Sequence, residues 1–227
     1  MRTIAVIARK GGSGKTTVAT HLALAAHLRG LKTLVADTDP QRSSTVVLQA
    51  RVGDGPETVE SSGDKLFALQ ISARRAGNEA LIIDTPAGAE DELAHAIVLS
   101  DLCLLVLRPT FLDMAAALRT VEVVRRLRKP AFVVVNQAPP ARAGIEPPQV
   151  RKALKALGQL RLPVLPIVLR TRAAYQLALE TGRSAEELSV DPAAAQEIGA
   201  VWDFIERFAF ARRPTAGTAA PEAVALA

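Results

Sequence analysis

The chain has 227 residues, of which 49% are hydrophobic and 22% charged, with a formal net charge of +5. That length and composition predict one packed domain, and they argue against two domains or a disordered chain. The single cysteine, Cys103, excludes internal disulfides and a cysteine-rich metal or cluster site within one chain. The apolar runs are too short for a signal peptide or a membrane span, which favours a cytoplasmic protein. The basic balance fits either a soluble surface or a polyanionic partner.

Apolar runs and helical patterns alternate along the chain. Runs rich in Val, Ile and Leu predict strands at 3–8, 32–37, 79–85, 102–107, 131–136 and 162–169. Apolar residues at helical spacing predict helices at 15–29, 65–77, 90–99, 111–128, 148–158 and 192–211, and residues 52–64 are predicted to be a polar loop. Continuous apolar strands are typical of strands that are buried on both faces. The alternation therefore predicts an α/β fold, with a mostly parallel sheet and helices on both faces.

The stretch RKGGSGKTT, residues 9–17, follows the first apolar run directly and opens a predicted helix. A glycine-rich turn between a strand and a helix is the context of a phosphate-binding P-loop. Its backbone N–H groups can converge on phosphate oxygens, and the helix N-terminus adds its positive dipole. Lys15 is expected to reach the β- and γ-phosphates, the Thr16 hydroxyl to ligate Mg²⁺, and Thr17 to contact the α-phosphate. The predicted ligands are ATP and Mg²⁺, held by Gly11, Gly12, Ser13, Gly14, Lys15, Thr16 and Thr17.

A second lysine, Lys10, stands before these glycines, and Arg9 occupies the position where the usual P-loop has its first glycine. The form K-G-G-S-G-K-T resembles the deviant Walker A motif of the ParA/MinD family of ATPases. In that family the early lysine crosses a dimer interface and contacts the partner's nucleotide. The resemblance therefore implies a catalytic role for Lys10 and a homodimer in the ATP-bound state; a solvated surface lysine is the alternative. A donated cation would offset the repulsion between two facing triphosphates.

Two acidic segments follow in the order that the resemblance implies. DTDPQRS (37–43) resembles switch I, in which Asp37 lies near the magnesium through water and Asp39 positions the attacking water. LIIDTPAG (81–88) resembles switch II, with Asp84 as the Walker B carboxylate that holds Mg²⁺. Taken alone, Asp37 and Asp39 also fit turn or helix-capping roles.

The resemblance also implies an adenine pocket and a DNA-binding face. Asn136 ends the fifth strand and Pro166 begins the opposite wall of the adenine pocket, although Asn136 also fits a turn. The segment PIVLRTRAAYQLALETGRS (166–184) resembles the one that carries DNA-binding arginines in the family, here Arg170, Arg172 and Arg183. Ordinary surface charge is the alternative for these arginines. Several arginine–phosphate contacts, doubled by dimer symmetry, would give sequence-independent and salt-sensitive binding.

The ends of the chain bear on which branch of the family it resembles. The predicted domain covers residues 1–212, and the tail at 213–227 is too poor in bulky apolar residues to pack, so we expect disorder there. That tail lacks a basic amphipathic helix, which disfavours a membrane partner. The first strand begins at residue 3, so we expect a short ParA-like member without an N-terminal DNA-binding domain.

The resemblance as a whole implies a slow, nucleoid-associated ATPase. Its ATP-bound homodimer is expected to bind nonspecific DNA and to position a plasmid, a chromosome or a protein cluster. A ParB-like or other cargo adaptor is expected to stimulate hydrolysis. The alternatives are a membrane-associated MinD-like ATPase, a metabolic ligase or kinase on a P-loop scaffold, and a regulatory module that binds nucleotide without hydrolysing it.

Overall fold

A computed structural model describes residues 1–88, 90–159, 163–188 and 190–210 of the chain. Within these ranges the strands are β1 (Arg2–Ile7), β2 (Thr33–Asp37), β3 (Glu57–Glu60), β4 (Ala80–Asp84), β5 (Leu102–Leu107), β6 (Ala131–Ala138) and β7 (Val164–Arg170). The helices are α1 (Lys15–Leu28), α2 (Ser43–Gln49), α3 (Leu66–Arg75), α4 (Glu90–Leu99), α5 (Phe111–Arg126), α6 (Pro148–Gln159), α7 (Ala173–Glu180), α8 (Ala185–Leu188) and α9 (Pro192–Ile205). The predicted tail at 213–227 lies outside the described residues, as do the last two residues of the predicted domain.

The strands form one parallel sheet in the order β3-β2-β4-β1-β5-β6-β7. The strand order reverses at β1, and in open α/β sheets ligands bind at the carboxyl ends of the strands beside such a reversal. In the register, Asp84 of β4 pairs with Val6 of β1 on one side and with Asp37 of β2 on the other. The sheet therefore brings both predicted acidic segments beside the loop that follows β1.

Burial explains why the apolar runs became central strands. Every residue of β2, β4 and β5 is buried. Helices α1, α2, α7 and α9 pack against one face of the sheet, and α3, α4, α5 and α6 pack against the other. The predicted α/β fold with helices on both faces is confirmed, and each of the six predicted strands lies within two residues of its expected bounds.

The prediction of a polar loop at residues 52–64 was wrong in part. Residues 52–64 contain the edge strand β3 and the start of a 3₁₀ turn, Gly63–Lys65. The strand has the sequence ETVE and is mostly exposed, so it carries no apolar run that would mark it. It pairs with β2 alone, from Leu34–Glu57 to Asp37–Glu60. Backbone pairing at a sheet edge does not require buried side chains, and the apolar pattern therefore missed it.

Three short helices, α2, α7 and α8, also lie outside the predicted elements. The first of them begins after Arg42, whose backbone has a φ of 53°. None of the helices of the described residues is long and apolar enough to cross a membrane.

Candidate functional site

The loop between β1 and α1 is shaped by two glycines with left-handed backbone. Gly12 has a φ of 73° and Gly14 a φ of 91°, a region that residues with a Cβ rarely adopt. Gly14 is also the N-cap of α1, and no side chain of the described residues caps the N–H groups of the first turn. Those N–H groups and the helix dipole are therefore free to bind an anion.

Two side chains from the end of β6 brace this loop. Asn136 donates a hydrogen bond from Nδ2 to the carbonyl oxygen of Ser13 at 2.8 Å, and Gln137 donates one from Nε2 to that of Gly12 at 3.1 Å. A Cβ on Gly14 would lie 2.2 Å from the Asn136 amide nitrogen, so only glycine fits there. The predicted adenine residue Asn136 thus reaches the phosphate loop itself, and the neighbouring role of Gln137 was not predicted.

A buried lysine sits at the start of α1. Lys15 is only 6% exposed. Burial lowers the pKa of Lys15, while the carboxylates of Asp84 and Asp39 act to raise it. Among the described residues no carboxylate lies within 4.0 Å of its ammonium group. A buried ammonium without a paired carboxylate favours an anionic ligand at this position, as expected for a phosphate-binding lysine.

Asp84 supplies a buried negative charge that complements the buried ammonium group of Lys15. Its carboxylate is fully buried, and neither oxygen has a hydrogen-bonding partner among the described residues. Burial raises the pKa of Asp84 to about 7, and the nearby charge of Asp37 acts in the same direction. A buried carboxylate with both oxygens uncommitted is what a divalent cation requires of a protein ligand.

The surroundings of Asp84 fit Mg²⁺. The hydroxyl of Thr16, from α1, lies close enough to Asp84 to act on its pKa. The described residues contain no cluster of three His, Cys, Asp or Glu side chains that could enclose a metal by themselves. A cation here would take its remaining ligands from Thr16, phosphate oxygens and water, which is the usual environment of Mg²⁺ at nucleotide sites.

The two acids of the predicted switch I segment are tied to local backbone. Asp37 accepts hydrogen bonds from the N–H groups of Thr45, at 2.9 Å, and Asp39, at 3.2 Å. Asp39 accepts one from the N–H of Gln41 at 2.9 Å. Both residues therefore have turn or capping roles in this state. The structure brings Asp37 beside Asp84 in the sheet, where it can reach a cation through water.

Lys10 is not a freely solvated lysine. Its ammonium lies 3.1 Å from Oδ2 of Asp113, near the start of α5, and its side chain is 35% exposed. The Asp113 side chain is 1% exposed and is also bound by Nε and Nη2 of Arg108, at 3.0 and 3.1 Å, and by the Thr110 hydroxyl, at 2.7 Å. Burial acts to raise the pKa of Asp113, but the hydrogen bonds from Arg108, Thr110 and Lys10 outweigh it and hold the pKa at about 2.

Two other predicted contacts lie away from the loop. Pro166 is exposed near the middle of β7, between the register pairs Val133–Val164 and Val135–Val168. It is therefore some residues short of the carboxyl end of the sheet, where Asn136 meets the P-loop. The structure does not bring these two residues together.

The arginines predicted to bind DNA are engaged within the chain. Arg170 pairs with Glu146 at the Nη1–Oε2 distance of 2.8 Å, and Arg172 binds Glu197 through Nε and Nη2 and Asp191 through Nη1. Their side chains are only 12% and 23% exposed. Arg183, by contrast, is exposed. Two of the three predicted contacts thus have their charge compensated internally.

These pairs predict a structural role for Arg172. Changing Arg172 to Gln removes three charged hydrogen bonds and leaves Glu197 with fewer donors. We expect the free energy of unfolding to fall by about 1–3 kcal/mol. Urea denaturation of the variant measures this directly. Gln at exposed Arg183 is the matched control and should change stability by less than about 0.5 kcal/mol; equal losses in the two variants would contradict the assignment.

Comparison with known proteins agrees with this geometry. Residues 4–185 match the model of the CobQ/CobB/MinD/ParA nucleotide binding domain. A maintenance of carboxysome distribution protein A, from Halothiobacillus neapolitanus, is 27% identical over 212 residues, which cover 88% of this chain and 94% of that relative.

Solved structures show the same fold. Apo McdA of Cyanothece has a TM-score of 0.74 and 17% identity, covering 90% of this chain and 98% of its own. The septum site-determining protein MinD of Pyrococcus horikoshii, complexed with Mg-ADP, has a TM-score of 0.71 and 18% identity, covering 91% and 96%. The family match spans the loop, Lys15, Asp84 and Asn136 alike. The chain therefore belongs to the CobQ/CobB/MinD/ParA family of nucleotide-binding domains, as its resemblance to ParA/MinD ATPases predicted.

Proposed function

We propose that this protein is an ATP-dependent dimerising switch that binds nonspecific DNA and positions a cargo. The observation that carries the nucleotide part is that an anion-binding loop with a buried lysine lies beside a buried carboxylate that can bind a cation. The uncapped N–H groups and buried Lys15 favour an anionic ligand. The Asp84 oxygens, which have no hydrogen-bonding partner among the described residues, favour a cation. Mg²⁺ bound to a triphosphate satisfies both. When bound, Mg²⁺ neutralises phosphate charge as it develops during hydrolysis.

The residues of the chain divide the remaining work. Lys15 and the loop N–H groups orient the phosphates, Thr16 and Asp84 hold the cation, and Asp37 reaches it through water. Asp39 orients the attacking water. Asp37 and Asp39 accept hydrogen bonds from backbone N–H groups, and Asp84 is assigned to the cation, so none of the described acids near the loop is left to act as a strong general base. We therefore expect slow basal turnover, which a cargo-bound adaptor accelerates.

Dimerisation is assigned to Lys10. In the proposed dimer each Lys10 leaves Asp113 and reaches the nucleotide of the other subunit. Two facing Mg-triphosphates repel each other, and the exchanged ammonium groups offset that repulsion in a site shielded from water. Loss of the γ-phosphate then removes the reason for association, and the dimer and its DNA affinity are lost together. Because the proposed dimer binds nonspecific DNA, we expect the protein to associate with the nucleoid.

Asp39 supplies the sharpest test of the chemical step. Asparagine keeps the oxygen that accepts the Gln41 N–H but lacks the carboxylate that orients water. We expect Asp39→Asn to bind ATP and Mg²⁺ normally and to hydrolyse ATP roughly 100-fold more slowly. Phosphate release measures turnover, and a fluorescent ATP analogue measures binding. Alanine at Asp64, an exposed acid, is the control. Wild-type turnover by Asp39→Asn would reduce Asp39 to a turn residue.

A further inference from the structure

Positive charge in this chain is concentrated in one segment. Residues 111–159 contain nine Lys and Arg against three Asp and Glu, a net charge of +6, whereas the whole chain carries +5. The rest of the chain is therefore slightly acidic as a whole. The excess lies on α5, on α6 and on the connections that follow α5.

The few acids of this segment are largely used inside the fold. Asp113 is bound by Lys10 and Arg108, and Glu146 is bound by Arg170. Glu122 remains as the exposed acid of the segment. None of seven exposed cations has a carboxylate within 4.0 Å among the described residues; these are Arg119, Arg126, Arg128, Arg142, Arg151, Lys152 and Lys155. We call this set the α5–α6 basic face.

The two helices lie side by side on one face of the sheet. Val121 and Val124 of α5 belong to the same buried cluster as Val150 and Leu157 of α6. With its apolar side buried, α6 turns Arg151, Lys152 and Lys155 outward, and no acidic residue occurs in the helix. The charge is therefore presented to solvent and is not absorbed by neighbouring carboxylates.

We propose that the α5–α6 basic face, rather than Arg170 and Arg172, makes the principal DNA contacts. This rests on the proposed function, because it assigns the DNA binding that the cycle requires. Lysine and arginine side chains contacting phosphates bind duplex DNA without regard to sequence. The exposed residues of α6 are otherwise Pro148, Gln149, Gly158 and Gln159. The large apolar side chains that are exposed in residues 111–159 all lie outside α6; these are Phe111, Leu112, Leu118 and Ile145. Helix α6 itself offers no bulky apolar side chain to insert into lipid, which favours DNA over an anionic membrane as its partner.

The position of the face is compatible with the proposed dimer. Asp113, which holds Lys10, lies in the first turn of α5, whereas Arg126 ends the helix. At 1.5 Å per residue the two are about 20 Å apart along the helix. Association at the nucleotide edge therefore leaves open the part of the basic face that lies beyond Arg119, and a dimer carries two such faces. Doubling the contacts explains why DNA binding would follow ATP-dependent dimerisation.

The test replaces three α6 cations together, as Arg151→Gln, Lys152→Gln and Lys155→Gln. Binding to a mixed-sequence duplex is measured by fluorescence anisotropy with ATP and Mg²⁺ at several KCl concentrations. We expect at least a tenfold loss of affinity, and a plot of log affinity against log salt that is less steep by about five, because the dimer loses six contacts and each contributes about 0.9. ATP hydrolysis and ATP-dependent dimerisation should match the unsubstituted protein.

A second triple variant controls for net charge. Lys65, Arg74 and Arg75 are exposed cations at and near the ends of α3, and their replacement by Gln removes the same charge. We expect this variant to keep wild-type affinity and slope. Unchanged DNA binding by the α6 variant, or equal losses in both variants, would overturn the assignment while leaving the proposed function intact.

The same assay separates the two levels of the proposal. If the unsubstituted protein binds no duplex in any nucleotide state, the DNA-binding part of the proposed function is wrong, and this face has no DNA to contact. α6-dependent binding to vesicles that contain phosphatidylserine, without duplex binding, would instead identify a membrane surface and overturn the assignment to DNA.

Discussion

Asp84→Asn is expected to stabilise the nucleotide-free protein at pH 8 while abolishing Mg²⁺-dependent hydrolysis. Burial raises the pKa of Asp84 from 3.8 to about 7, so the folded state holds this proton more tightly than the unfolded state does. Folding stability is therefore lost as the pH rises from about 4 to 7, and the loss is complete above that range. The pKa difference corresponds to roughly 4 kcal/mol. The asparagine amide is itself buried without a hydrogen-bonding partner, which destabilises the variant by about 1–3 kcal/mol. We therefore expect the free energy of unfolding at pH 8 to rise by a net amount of about 1–3 kcal/mol.

Thermal denaturation without nucleotide or Mg²⁺, at a series of pH values, measures this effect. At pH 4 the aspartate is protonated, and the variant should be less stable than wild type by about 1–3 kcal/mol. The difference should shift in favour of the variant by roughly 4 kcal/mol between pH 4 and pH 7 and stay constant at higher pH. Asn at exposed Asp54 provides a matched substitution that should show no such profile. A variant that is less stable than wild type at pH 8 would mean that the Asp84 oxygens are satisfied in solution. Added Mg-ATP should reverse the order, because only the aspartate binds the cation as a charged ligand.

Lys10→Ala is expected to bind ATP as a monomer and to lose ATP-dependent dimerisation. The lysine lies at the margin of its own loop and is held there by Asp113, so its removal leaves Lys15 and the loop N–H groups in place. The repulsion between two facing triphosphates is then uncompensated. Loss of a charged contact in a shielded interface costs about 2–5 kcal/mol, which corresponds to a dimer dissociation constant at least 30-fold weaker. Analytical ultracentrifugation with a slowly hydrolysed ATP analogue measures this constant.

The neighbouring cation supplies the control for that experiment. Arg9 belongs to the same loop but pairs with Glu90 on α4, at 3.1 Å. Arg9→Ala removes an equal charge from nearly the same place and should dimerise as wild type does. A dimer that survives Lys10→Ala, or that fails equally in both variants, would contradict a specific cross-subunit role for Lys10.

The sequence was most informative where a function depends on neighbours along the chain. The placement of the P-loop, Asp37 and Asp84 at one edge of the sheet could be predicted, because the loop follows β1, the two acids end β2 and β4, and parallel strands end at a common edge. The central strands could be predicted for a related reason, since burial on both faces leaves an apolar run that the edge strand β3 lacks. The order of the P-loop and the two acidic segments indicated a nucleotide site, which the periodicity of apolar residues alone could not indicate.

Contacts between distant segments were not predictable in this way. Asp113 holds Lys10 across 103 positions of the chain, and Glu197 holds Arg172 across 25. An exposed arginine and an ion-paired one look identical in a sequence, so the resemblance of residues 166–184 to the family's DNA-binding segment marked Arg170 and Arg172 as surface contacts. One local signal was available for Asp113: it follows Thr110 by three residues, a spacing typical of a helix cap, and Thr110 does accept its N–H. Gln137 carried no such signal, since its reach to Gly12 depends on a backbone φ of 51°.

The several donors gathered around Asp113 bear on how the proposed dimer comes apart. If Lys10 were the sole cation beside this buried carboxylate, dimerisation would leave the Asp113 carboxylate of each subunit charged and unpaired. Arg108 and Thr110 remain in place when Lys10 departs, so the carboxylate stays neutralised in either arrangement. The lysine can then move between its own chain and a neighbouring one as a nearly balanced exchange. In such an exchange the presence of the γ-phosphate determines whether the proposed dimer or the monomer is favoured. After hydrolysis each Lys10 can return to Asp113 of its own subunit without a large energetic barrier.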